Sequence, residues 1–190
     1  MPPDPPRPRA QPAVVLYGPP ASGKDTITAA LTALDGRYQH FRPLKVGAGR
    51  TAGYRVSTPA QLEQLRAAGA VVFETHRYGA VYAIDRAGIA ELLDADAIPV
   101  LHLAEPAALP ALADAFPTVA WVTVALACPR AGAEERIRAR GTGDTAARLA
   151  AYDTFEPLPD PDLTVDTASV SPTAAASLIA ATATATRRRH

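Results

Sequence analysis

A single cysteine, Cys128, stands among 190 residues, so the chain can form no internal disulfide and no cysteine-built zinc site. Long apolar runs are missing as well, and nothing approaches the roughly 20 residues needed to cross a bilayer. The first dozen residues are proline-rich and carry no apolar segment, which excludes a secretory signal there. A cytoplasmic protein with no membrane partner is expected. Net charge is also absent: nineteen basic residues balance nineteen acidic ones. No general attraction to nucleic acid follows, and any phosphate must be handled at a locally built site. Lysine is scarce. Only Lys24 and Lys45 accompany seventeen arginines, a skew that a GC-rich coding bias produces. A lysine kept against that bias marks a place where a compact point charge serves better than a planar fork.

What is present is ordinary for a globular domain: 48% hydrophobic and 20% charged residues, with length enough for one real core. Residues 1–12 read as a disordered proline-rich tail and 187–190 as a solvated basic end. Between them apolar runs alternate with helical patterns. Strands are expected at 13–17, 71–75, 80–84, 98–103, 119–127 and 162–166. Helices are expected at 26–34, 60–68, 85–93, 106–116, 131–140, 144–152 and 172–184. Alternation of this kind implies βαβ units and a mainly parallel sheet covered on both faces. The stretch 38–84 breaks the pattern and reads as an inserted subdomain. Trp121, in an apolar strand, is expected in the core.

The strand at 13–17 runs into Gly18-Pro-Pro-Ala-Ser-Gly23-Lys24-Asp25, which fits G-x-x-x-x-G-K with a strand before it and a helix after it. Glycines let the backbone curl so that amide groups point inward and, with the helix N-terminus, hold phosphate oxygens. Gly18, Pro19, Ala21, Ser22, Gly23, Lys24, Asp25 and Thr26 are therefore candidate ATP-binding residues. Lys24 would serve the β- and γ-phosphates. Asp25 stands where serine or threonine usually bonds Mg²⁺. Two readings fit it: a ligand to Mg²⁺, direct or through water, with Thr26 on a phosphate oxygen, or an acid favoured by the helix dipole.

With this loop, the insert and the Arg140-Gly141-Thr142 segment, residues 13–185 resemble the guanylate kinase family of nucleoside monophosphate kinases. The resemblance implies a three-layer α/β/α P-loop NTPase fold over 13–186, with core segments 13–37 and 85–186. It also implies an acceptor-binding insert over 38–84 and a short lid at about 137–148. Arg42-Pro-Leu-Lys45-Val-Gly47 matches the family's R-x-x-R-x-G, and Tyr54 and Tyr82 match its two tyrosines. By that resemblance Arg42, Lys45, Tyr54 and Tyr82 bind the acceptor's phosphate. The family's guanine-reading glutamate aligns with Phe73, and a one-residue bulge would bring Glu74 into its place. Glu74 reads equally as a surface acid at a strand edge. The family's Asp-x-Asp is replaced by His102-Leu-Ala104-Glu105. His76 and Arg77 read either as facing the acceptor or as exposed strand residues.

The cluster Arg136-Ile-Arg138-Ala-Arg140-Gly141-Thr142, with Arg148, resembles the family's lid. Arg136, Arg140 and Arg148 would then stabilise the transferring phosphoryl group; otherwise they form a solvated basic face. The Gly-Lys-Asp form of the loop also resembles that of ribose 1,5-bisphosphate phosphokinases of the same superfamily. The expectation is an ATP- and Mg²⁺-dependent kinase whose partner is a small phosphorylated acceptor: GMP or a related nucleoside monophosphate first, a ribose phosphate second. A non-catalytic guanylate kinase-like binding module and a P-loop hydrolase acting on water are the rival readings.

Overall fold

The apolar run expected to be a strand becomes the centre of a parallel sheet. The computed structural model describes residues 10–141 and 143–189. Strand β1 spans Gln11–Tyr17, between β7 (Ile98–Leu103) and β8 (Val119–Ala127). β2 (Tyr38–His40) flanks β7 and β9 (Leu163–Asp166) flanks β8, giving the order β2-β7-β1-β8-β9, parallel throughout. A strand buried on both faces needs no polar alternation, and Ala13 to Tyr17 are all fully or nearly fully buried.

Period-two geometry sends alternate residues of β1 to opposite layers. Val14 and Leu16 pack with Ile27 and Leu31 of α1 (Lys24–Leu34) and Ile179 of α7 (Pro172–Arg189). Ala13, Val15 and Tyr17 pack with Ile89 of α3 (Arg86–Asp94) and Leu112 of α4 (Ala108–Ala115). The expected three-layer α/β/α architecture is present. Trp121 packs at the edge of the second layer against Phe116.

Between β2 and α3 the chain forms a second sheet, order β4-β3-β6-β5, among the described residues. Its strands are β3 (Leu44–Val46), β4 (Arg55–Val56), β5 (Val71–Arg77) and β6 (Ala80–Asp85). Helix α2 (Pro59–Ala67) starts where the sequence indicates: Pro59 opens it, and Thr58 and Gln61 cap each other's backbone. The insert begins later than residue 38, because β2 pairs with β7 in the main sheet. β1 likewise starts at Gln11, inside the expected tail, whose residues 1–9 lie outside the described ones. Arg187 and Arg188 continue α7 rather than forming a separate end.

Insert and core are joined by an ion pair whose carboxylate is buried and whose guanidinium is partly exposed. Asp85 is nearly fully buried, caps α3 by accepting from the Gly88 N–H at 3.0 Å, and receives the Arg55 guanidinium. Arg55 also donates to the Arg42 carbonyl at 2.8 Å and lies over the Phe41 ring. Asp85→Ala leaves the guanidinium and one helix-start N–H without their acceptor. A loss of about 2–4 kcal/mol is expected, seen as a lower urea midpoint with an unchanged slope.

Candidate active site

The loop after β1 is built around two glycines. A Cβ on Gly18 would lie 2.5 Å from Ser22 Oγ, and Gly23 adopts φ +95° as the residue capping α1. Ser22 is fully buried and turns back to the Pro19 carbonyl through its N–H at 3.3 Å. The Lys24 amine curls over this loop, donating to the Gly18 carbonyl at 2.6 Å and the Pro19 carbonyl at 2.9 Å. Burial pulls its pKa down to about 7, with Asp25 acting in the opposite sense.

A cavity of about 660 Å³ opens between this loop and the inserted sheet. Gly18, Ala21, Lys24 and Asp25 line one side, together with Pro20. Lys45, Tyr54 and Tyr82 line the other. Lys45 and Tyr82 sit opposite each other on antiparallel strands, which places the amine beside the phenol. Lys45 is 2% exposed. Its amine donates to the carbonyls of Ala48 at 2.6 Å and Arg50 at 2.9 Å and lies 5.9 Å from both tyrosine ring centres. The two rings are themselves 5.1 Å apart. Burial raises the pKa of both phenols, so they stay protonated donors.

Arg140 and Arg148 reach the cavity from α5 (Arg130–Arg140) and α6 (Thr145–Asp153). Arg148 is held by Asp144 at 2.7 Å and stacks on Tyr78, and the carboxylate keeps its pKa raised. Arg140 approaches Asp25 at 3.8 Å. Thr142 of the lid motif lies outside the described residues.

Beyond the phosphate loop and the start of its helix, three expected site residues stand away from the cavity wall. Arg42 is exposed and is not part of the cavity wall; Arg50 takes a place there instead. The loop after β3 bends back at Gly47, φ +125°, where a Cβ would meet Ala80 at 2.9 Å, and so carries Arg50 inward. Arg136 braces the loop from behind, donating to the Ala21 carbonyl at 3.2 Å and the Thr167 carbonyl at 3.2 Å. Glu74 is the third. The β5 strand has its irregularity between Val71 and Phe73, yet Phe73, Thr75 and Arg77 still face the cavity. Glu74 falls on the opposite face and binds Arg66 at 2.6 and 2.9 Å and His76 at 2.9 Å. Arg66 holds its carboxyl below the usual range. Glu74→Gln is therefore expected to leave the affinity for a ligand of the cavity within about twofold of wild type, because changes away from a site have small effects; titration calorimetry checks it.

Several cavity residues escaped the sequence reading or were left without a role. Glu105 accepts from Thr75 Oγ1 and from Arg77 Nε at 3.0 Å, forming a polar group on the wall. Strand parity signals Thr75 and Arg77, since both share a face with Phe73. His102 lies at the end of β7. Its Nε2 is 2.7 Å from Thr28 Oγ1, its Nδ1 is 3.6 Å from Asp25, and the His40 ring stacks on it at 4.2 Å. Burial and the neighbouring His40 and Lys24 push its pKa well below 6.5, so the ring is neutral.

No family model matches the sequence, and no curated protein does. In three dimensions the chain is similar to guanylate kinase from Anaplasma phagocytophilum, with TM-score 0.58 and 14% identity over 95% of this chain and 88% of that one. It is also similar to APE1195, with TM-score 0.55 and 19% identity over 94% and 98%. A gluconokinase from Sinorhizobium meliloti 1021 has TM-score 0.47 and 20% identity over 96% and 94%. The likeness is one of fold: the chain shares the P-loop α/β fold of that guanylate kinase structure.

Proposed function

We propose that the protein is an ATP-dependent kinase that moves the γ-phosphoryl group onto a phosphate of a small acceptor. The observation that carries this reading is one cavity with a loop lysine on one wall and a buried lysine between two phenols on the other. Two anions held there face each other across the space where a phosphoryl group would pass. The loop amides and Lys24 bind the triphosphate, Lys24 swinging from the loop carbonyls to the phosphates. Lys45, Tyr54 and Tyr82 orient the attacking phosphate oxygen, and Arg140 and Arg148 neutralise charge on the transferring group. The bond from the γ-phosphorus to ADP breaks as the bond to the acceptor oxygen forms. A dianionic acceptor has no proton to lose, so no general base is required.

The site also suits Mg²⁺. Asp25 is half exposed on the cavity wall, and its nearest charged or titratable partners among the described residues lie 3.6–4.0 Å away. Such a carboxylate, completed by substrate phosphates, is how proteins hold this ion. Mg²⁺ would supply charge neutralisation on the phosphates when bound. Thr26 is exposed and outside the cavity wall, and so contributes less than the sequence implied.

GMP or a related nucleoside monophosphate is the first acceptor. A specific observation favours the second, a ribose phosphate: Glu74, aligned by a bulge with the guanine-reading glutamate, faces away from the cavity, whereas Lys45, Tyr54 and Tyr82 line it. An ADP-release assay across nucleoside monophosphates and ribose phosphates tests the proposal. Acceptor-dependent turnover is expected. ADP release without any acceptor would make the protein a hydrolase, and no ATP binding at all would make it a binding module.

A further inference from the structure

We propose that His102 joins Asp25 in holding the divalent cation that accompanies the nucleotide, so that one protein ligand to that cation is an imidazole nitrogen. This inference rests on the kinase reading above. It starts from where the two residues sit. Asp25 is the second residue of α1, and His102 stands in register with Leu16, two residues before the loop. His102 is largely buried near the end of a central strand, and Asp25 stands half exposed in the first turn of the helix that follows the loop, so regular secondary structure sets both backbone positions.

The ring is held on two sides. Its Nε2 meets the Thr28 hydroxyl at 2.7 Å, and His40 stacks against its plane at 4.2 Å. A hydrogen bond to the far nitrogen is how proteins orient a ligating histidine, and it leaves the near nitrogen as the donor to metal. That near nitrogen, Nδ1, faces Asp25 Oδ1 at 3.6 Å. The distance is too long for a hydrogen bond. It is close to the ~3 Å edge spanned by two neighbouring ligands that each lie ~2.1 Å from one ion.

The carboxylate is divided in a way that fits. Oδ1 is turned to His102, whereas Oδ2 is approached by Arg50 at 4.0 Å and Arg140 at 3.8 Å. Those two arginines have phosphate oxygens to turn to once nucleotide is present. Oδ1 and Nδ1 then share the cation with the phosphates. A nitrogen in the ligand set shifts preference from Mg²⁺ towards Co²⁺ and Ni²⁺.

The test uses the full chain with Mn²⁺ and a non-hydrolysable ATP analogue, read by pulsed electron paramagnetic resonance. The expected spectrum shows coupling from one directly bound nitrogen, and its frequency changes when the protein, but not the nucleotide, is labelled with ¹⁵N. The coupling is expected to disappear in His102→Asp while Mn²⁺ remains bound, and to persist in His40→Ala. The Co²⁺ to Mg²⁺ affinity ratio, measured by competition with the same analogue, is expected to fall about tenfold in His102→Asp. A wild-type Mn²⁺–analogue complex without protein nitrogen coupling would overturn the inference while leaving the kinase reading intact. Failure of the analogue to bind at all would overturn both. The isotope comparison needs only the wild-type chain, so a variant that misfolds does not blunt it.

Discussion

Replacing Lys24 with methionine is expected to lower kcat by roughly 10²–10³-fold, the usual effect of removing one charge that stabilises a transferring phosphoryl group. The fold is expected to survive the change. In the folded chain this amine has a pKa of about 7, against 10.5 in the exposed state. Between those values the unfolded chain binds the proton more tightly. The contribution of this group to stability therefore rises with pH from about 7 to about 10 and is least favourable below 7. Methionine removes that cost. A second measurement follows from the same shift. At pH 8 the free amine is mostly neutral, while in a triphosphate complex it is charged, so ATP binding takes up about one proton. Titration calorimetry in two buffers of different ionisation heat reads this uptake. The methionine variant is expected to lose it, and wild type at pH 6 to show none from this group.

Lys45→Met is expected to raise the acceptor's KM about 100-fold while leaving the KM for ATP nearly unchanged. An ammonium has three N–H donors. Among the described contacts two go to the Ala48 and Arg50 carbonyls, and the third is available to an anion beside the two phenols. Methionine keeps the packing volume but loses all three. The Lys45→Arg variant is the informative control. A guanidinium keeps the charge and offers more donors, and the motif that Lys45 matches carries arginine at this place, so the variant is expected to recover much of the lost affinity. Steady-state kinetics with each substrate varied separates the two KM values. An equal rise in both would move Lys45 from acceptor binding to general support of the cleft.

Much of the core is legible in the sequence because its strands are buried on both faces and read as apolar runs, unbroken in Ala13 to Tyr17 and interrupted only by His102 in Ile98 to Leu103. Helix ends with chemical markers, such as Thr58-Pro59, are read correctly for the same reason: one local interaction decides them. The inserted sheet is harder. Strands β3 and β4 have three and two residues, too few to show a period, and the central residue of β3 is a buried lysine. Of the motif residues, Lys45 and Tyr82 are paired across adjacent strands and Tyr54 directly precedes β4, and all three line the cavity. Motif spacing fails for Arg42 and Arg50, where the backbone bend at Gly47 decides which arginine reaches the cavity. Glu74 fails through parity. An irregularity one step earlier in the strand leaves the alternation after Phe73 intact, and Arg66 supplies the glutamate with a partner on the far face.

The Arg55 guanidinium touches both places where the chain passes between the two sheets: the Arg42 carbonyl on the way out and Asp85 on the way back. One side chain thus fastens the exit and the return at a single corner. A change that removed this side chain would loosen the entry to the smaller sheet and the start of α3 together, since both lean on the same guanidinium.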